Sequence, residues 1–215
     1  MEANKLRTGV FAEWQPVYAE HNIPTFPCRP DKRPAVTNYG RFGLPASKQV
    51  ASSSGADAFG FMCGKRSGIT VLDWDSTDER GFADALNRHG KTPIIARSGS
   101  GHFQAWYRHA GERRLTRPRR DVPLDILGGG YVVAPPSWVE RGQYQFLEGS
   151  LDDLANLPKL LDAPSAIPPD WRSMRDGDGR NAALFRQIGR ASNATNSRRL
   201  IRSPRRHGRA ATAVR

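Results

Sequence analysis

Two apolar runs, AFGFMCG at 58–64 and GITVLDWD at 68–75, stand on either side of a short KRSG turn, and a helical pattern follows at once. Both runs are short, rich in β-branched and aromatic residues and bounded by glycine, which reads as a pair of buried strands. The next segment, STDERGFADALNRHG at 76–90, has a Ser/Thr cap, early acids, an apolar face of Phe82, Ala85 and Leu86, and a glycine stop at Gly90. Strand, strand and helix in close succession demand a sheet with a helix laid against it.

The rest of the chain extends that pattern. Residues 7–22 read as an amphipathic helix with Thr8 as its cap and a break or kink at Pro16. IPTFPC (23–28) reads as a strand, followed by the basic loop RPDKRP (29–34) and an irregular stretch to about Ala56. TPIIARSGSGHFQAWYRH (92–109) and VPLDILGGGYVVAPPS (122–137) each read as strand, glycine turn, strand. QYQFLEG (143–149) adds a strand and LDDLANLPKLL (151–161) a short helix. The mixture predicts an α/β or α+β catalytic domain over residues 1–162. Residues 163–176 read as a linker and 177–192 as the start of a helical extension that is cut short. Residues 193–215, rich in arginine with almost nothing apolar, predict disorder.

The net charge of +12 is a property of that tail. Residues 171–215 hold 12 arginines, no lysine and two acids, so they carry +10 and the first 170 residues only +2. A high isoelectric point is therefore no sign of nucleic-acid binding by the body. No run of about 18 apolar residues is present, so no helix is expected to span a membrane. The N-terminus lacks a leader pattern, and Cys28 and Cys63 form neither a disulfide framework nor a zinc motif. These features predict a cytoplasmic protein.

Three motifs could carry chemistry. In VLDWD, Asp73 and Asp75 are two apart on a strand and share a face. Side-by-side carboxylates repel unless a cation neutralises them, and such hard oxygen ligands suit Mg²⁺ or Mn²⁺; the alternative is that both cap the following helix or face solvent. In RSGSGHF, the glycines flanking Ser100 let backbone N–H groups approach an anion. Arg97, Ser98, Ser100 and His102 can add donors toward a triphosphate; the alternative is an ordinary hairpin turn. In PLDILGGG, Asp125 alternates with Leu124 and Ile126 and points to the opposite face. It must be paired or metal-bound there, the alternative being a pair with an arginine at 117, 119 or 120.

The order of these pieces resembles the bifunctional primase-polymerase (prim-pol) domain of the archaeo-eukaryotic primase superfamily, found in phage and plasmid replication proteins. The resemblance spans about residues 10–160: the opening helix and strand, the loop Asp31, Lys32, Arg33, Pro34, then GFMCGKRSGITVLDWD, SGSGH and LDILGGGYVVAPPS. It implies an α+β fold with a mostly antiparallel central sheet, flanked by helices, and an active site in a cleft on the sheet. It implies an enzyme, a DNA primase and DNA-directed DNA polymerase performing template-directed nucleotidyl transfer. Asp73, Asp75 and Asp125 would be ligands of two metal ions. Ser100, His102 and, as a looser match, Lys32 would bind the nucleotide, joining Ser98 and Arg97 from the reading of the glycine loop itself. One departure is Leu127, where relatives often carry arginine.

The implied partners are a DNA template and primer, NTP or dNTP, and a replicative helicase supplied as a separate chain, in a bacterial, phage or plasmid setting, without a membrane. Lys32, Arg33, Lys65, Arg66 and the 113–120 loop are candidates for a template groove, with Trp and Tyr side chains available for stacking. Two other functions compete: a metal-dependent nuclease, though no His-x-His pair is present, and a non-catalytic DNA-binding remnant of a replication protein.

Overall fold

The computed structural model describes residues 9–161; the linker, extension and tail expected at 163–215 lie outside them. The chain divides into two units, Met1–Ser165 and Ala166–Arg215, of which only the first is described below. It is an α+β domain in which every ladder between named strands is antiparallel.

Helix α1 (Val10–Glu20) continues through Pro16 and begins at Gly9 without a side-chain cap, so neither the Thr8 cap nor a break at Pro16 holds. Packing overrides the local penalty, because Phe11, Gln15 and Tyr18 bury one side of the helix. Strand β1 (Thr25–Cys28) leads into the basic loop. The stretch expected to be irregular contains α2 (Leu44–Ala51), with Pro45 in its first turn. Strands β2 (Ala58–Met62) and β3 (Ile69–Trp74) flank the KRSG turn as anticipated, but they do not form a hairpin. Beyond one isolated bridge, Gly64 to Ile69, they separate into different sheets. Gly64 makes the parting feasible: it sits at φ +90, and a Cβ there would stand 2.4 Å from the Gly128 carbonyl oxygen.

Helix α3 (Glu79–His89) is capped by Asp78, whose carboxylate accepts the Arg80 N–H, rather than by Ser76 or Thr77. Then come β4 (Ile95–Arg97), β5 (Phe103–Arg108), β6 (Arg114–Leu115), β7 (Leu124–Leu127) and β8 (Tyr131–Val133). The expected strand at 143–149 is interrupted at Tyr144. Its first part belongs to a small hairpin of β9 (Trp138–Val139) and β10 (Gly142–Gln143); its second is β11 (Gln145–Glu148). Only Leu151–Asn156 of the last expected helix is helical, as a 3₁₀ segment with a Ser150–Asp153 capping box; Leu157 closes it and Pro158 comes next.

Six strands form the main sheet in the order β11-β4-β5-β3-β7-β6, and three form a smaller one, β1-β2-β8. Alternation assigns the two faces of the main sheet to two cores. Leu72, Trp74, Phe103, Ala105 and Ile126 pack against Phe82 and Ala85 of α3. Val71, Trp106 and Leu127 pack on the other side with Phe59 and Phe61 of the small sheet and Phe11 and Tyr18 of α1. The two sheets therefore diverge from a shared core. Within the small sheet, Ser137 ties the segment after β8 to β2: its hydroxyl accepts the Phe59 N–H at 2.9 Å and donates to the Phe59 carbonyl at 3.1 Å, fully buried. Ser137→Ala would strand the Phe59 N–H, whereas the Phe59 carbonyl keeps the Ala134 N–H at 3.0 Å, and urea unfolding is expected to show a loss of about 2 kcal/mol.

Candidate active site

Register assembles the acids. On β3, Asp73 lies directly opposite Asp125 of β7 on one side and Gln104 of β5 on the other. Residues facing each other across an antiparallel pair point the same way, with Cβ atoms about 5 Å apart. This row therefore projects from the face that carries Val71 and Leu127, beyond the end of their apolar core. Asp75 follows on the same side, its N–H continuing the ladder to the Pro123 carbonyl at 2.8 Å. His102 enters from the turn before β5, with Nδ1 3.6 Å from Asp75 Oδ1; this is too long for a hydrogen bond and amounts to an ion pair when the imidazole is protonated.

Electrostatics make this cluster unstable without a positive partner. Asp73 is pushed up to about 7, first by burial and then by the charges of Asp75 and Asp125; a hydrogen bond from Gln104 and the charge of Lys32 oppose the rise. Gln104 is almost completely buried, and its Oε1 has no hydrogen-bond partner. One oxygen of Asp125, Oδ1, accepts the backbone N–H of Arg117 at 2.7 Å. The arginine that meets Asp125 does so through its main chain.

Among the described residues no group of three or more His, Cys, Asp or Glu side chains is drawn tightly enough together to hold a metal ion outright. Asp73, Asp75 and Asp125 are nonetheless the residues that could do so. They are hard oxygen donors on one face, and a divalent cation would offset both the burial and the like charges that push Asp73 up.

The glycine loop is built as a closed turn. Ser98 donates its N–H to the His102 carbonyl at 2.8 Å, and its hydroxyl accepts the His102 N–H at 3.0 Å. Ser98 is thus occupied in shaping the loop, while Ser100, 3.0 Å from it between hydroxyls, is half-buried. Gly99 carries the β9–β10 hairpin on its back, since a Cβ there would lie 2.3 Å from the Gly142 carbonyl carbon. Beside the loop a cleft of about 510 Å³ is lined by Thr77, Arg97, Ser98–Gly101, Trp138, Gln143 and Gln145.

The structure separates Arg97 from the acids. It shares a row with Phe103 and Trp74, on the α3 face of the sheet, and its guanidinium stands 5.5 Å from the Phe103 ring centroid. Lys65 and Arg66 line a different opening, beside Pro24, Met62 and Cys63. Lys32, by contrast, is brought toward the acids, with its Nζ 5.6 Å from the centroid of Tyr144. Two residues absent from the sequence-based site belong in it. Gln104 was legible in principle, as a polar residue interrupting the apolar run of β5. Tyr144 was not, because only the fold turns it toward Asp73 and Asp75, whose charges, after burial, push its phenol up.

Residues 15–160 match the family described as bifunctional DNA primase/polymerase, N-terminal. The match takes in both sheets and every acid of the cluster, and the chain belongs to this family. No curated protein matches the chain. Among the described residues no helix is long and apolar enough to cross a membrane.

Proposed function

We propose that this domain catalyses template-directed nucleotidyl transfer, as a primase and DNA polymerase in replication of a phage, plasmid or integrated element. Its substrates are NTP or dNTP on a DNA template and primer, with a replicative helicase supplied separately. The observation that carries the proposal is the register pairing of Asp73 with Asp125, with Asp75 at the same strand end, in a member of this family. The three carboxylates are the ligands we assign to two ions, Mg²⁺ or Mn²⁺. When bound, such a pair activates a 3′-hydroxyl and neutralises a departing pyrophosphate.

The chain's own residues then divide the work. Asp73, partly buried between the other two, gives up its proton as positive charge arrives. Gln104 orients that carboxylate through its amide. The Ser100 hydroxyl and the Gly99 and Ser100 N–H groups offer donors to phosphate oxygens, while the Ser98 and Gly101 N–H groups hold the loop in shape. His102 stands between Asp75 and the loop, where its imidazole can donate to phosphate. Arg97 acts at the rim of the cleft beside the loop, not over the acids.

The test is primer synthesis and extension on single-stranded DNA with labelled nucleotides and Mg²⁺ or Mn²⁺, set beside a nicking assay. Product without nicking supports the proposal; nicking without product replaces it with a nuclease. Within the same assay, His102→Ala is expected to raise the nucleotide KM about tenfold to a hundredfold, the worth of one hydrogen bond to a charged group. An unchanged KM would remove His102 from the phosphate site.

A further inference from the structure

Lys32 is held with unusual care for a lysine in a surface loop. Its backbone lies at φ +73, in the left-handed region that L side chains rarely adopt, and several bonds keep it there. Its N–H donates to the Arg29 carbonyl at 2.9 Å, while the Arg29 N–H donates to the Arg33 carbonyl at 2.7 Å. Tyr131, at the start of β8, donates its hydroxyl to the Lys32 carbonyl at 3.4 Å. From the β9–β10 hairpin, the Glu140 N–H reaches the Pro30 carbonyl at 3.1 Å. The loop is therefore tied to two neighbouring elements.

The side chain is held as well. Its ammonium stands over the Tyr144 ring, 5.6 Å from the centroid, within the range of a cation–π contact. That ring is itself immobile: Tyr144 is 4% exposed, packed with Phe26, Val133 and Val139, and its N–H donates to the Ser137 carbonyl. Ring and ammonium both lie within electrostatic reach of the acids: the charges of Asp73 and Asp75 act on Tyr144, and that of Lys32 acts on Asp73. A strained backbone and a fixed ring would be wasted on a lysine whose role was to be solvated.

We infer that Tyr144 is a positioning residue, whose ring holds the Lys32 ammonium across the cleft from Asp73 so that it meets the phosphates of a nucleoside triphosphate. This rests on the nucleotidyl-transfer reading and adds a second wall to that site. The electrostatic need is plain: a polyanionic substrate must approach three carboxylates, and a compact ammonium with three donors suits phosphate oxygens from any side. The requirement falls on the aromatic face of Tyr144 rather than its hydroxyl.

The experiment measures dNTP binding to the full chain by titration calorimetry in Mg²⁺, beside the synthesis assay. Lys32→Met and Tyr144→Leu are each expected to weaken binding about tenfold. The double variant should be no weaker than either, because the ring acts only through the ammonium. Tyr144→Phe should bind like wild type, and making that substitution with progressively fluorinated phenylalanine should weaken binding stepwise at nearly constant size. Wild-type affinity in Tyr144→Leu, additive losses in the double variant or indifference to fluorination overturns the inference. Should Tyr144→Leu fail to fold, the fluorinated series and Lys32→Met decide it. This binding pattern in a chain that makes no primer would sink the polymerase reading and leave the inference standing. Synthesis with binding unmoved by the substitutions would do the reverse, and a wild-type chain that binds no triphosphate would overturn both.

Discussion

Asp125→Asn is expected to fold like the wild-type chain and to lose primer synthesis and extension by on the order of a thousandfold, about 4 kcal/mol of barrier. The substitution keeps shape and removes one negative charge, so β7 and its pairing with Asp73 should persist. Asp73→Asn should fall as far, because ligands of a shared pair of ions act as a unit and their losses do not add. Retained synthesis in both variants, measured with purified, folded protein, would refute the assignment. The contact between Asp125 and the Arg117 N–H makes the comparison sharper. If Asp125 served only to anchor the arginine loop, Asp125→Asn would keep an acceptor for that N–H and leave synthesis nearly intact.

The second large effect runs the other way, toward stability. The Asp73 carboxyl titrates near 7 in the folded chain, against 3.8 for its ordinary value. Below pH 4 both folded and unfolded chains hold the proton, and the group costs nothing. Between about 4 and 7 the folded chain holds a proton that the unfolded chain has released, so stability falls as pH rises through that window. Above 7 the penalty is complete. Metal-free Asp73→Asn is therefore expected to be more stable than wild type at pH 8 by about 2 to 4 kcal/mol, the rise from 3.8 to about 7 being worth about 4 at most. The advantage should vanish near pH 4. Denaturant unfolding of both proteins across that range checks it; parallel pH profiles would mean that Asp73 is not strained by its neighbours. Adding Mg²⁺ or Mn²⁺ at pH 8 should stabilise wild type and erase the difference.

Both effects arise from one arrangement, and its visibility in the sequence was uneven. Asp73 and Asp75 could be assigned to one face and to a strand end because Ile69 and Val71 fix the phase of β3, and side chains on a strand alternate strictly. Asp125 could be assigned to the side opposite Leu124 and Ile126 for the same reason. What alternation cannot supply is which strands are neighbours. That β3 lies between β5 and β7, with Asp73, Gln104 and Asp125 abreast, depends on long-range pairing set by the whole sheet. The same limit hides the fate of the two strands flanking the KRSG turn: the turn is short enough for a hairpin, yet β2 and β3 go to different sheets, with Gly64 packed on Gly128 between them.

Local chemistry misled in other places. Pro16 did not break α1, because burial of Phe11 and Tyr18 outweighs one lost backbone bond. Arg97 lines the cleft with Ser98 and Ser100, as its closeness in sequence suggested, but one step along a strand turns it away from the face of the acids. Tyr144 carries no motif, and its place beside Lys32 follows from the interruption between β10 and β11.

The most direct measurement counts ions. Mn²⁺ titrated into the wild-type chain with a non-hydrolysable dNTP analogue, followed by electron paramagnetic resonance, should show two bound ions per chain. Asp125→Asn should lose at least one of them under the same conditions. A single ion in wild type, or an unchanged count in the variant, would contradict a site in which Asp73, Asp75 and Asp125 hold a metal pair.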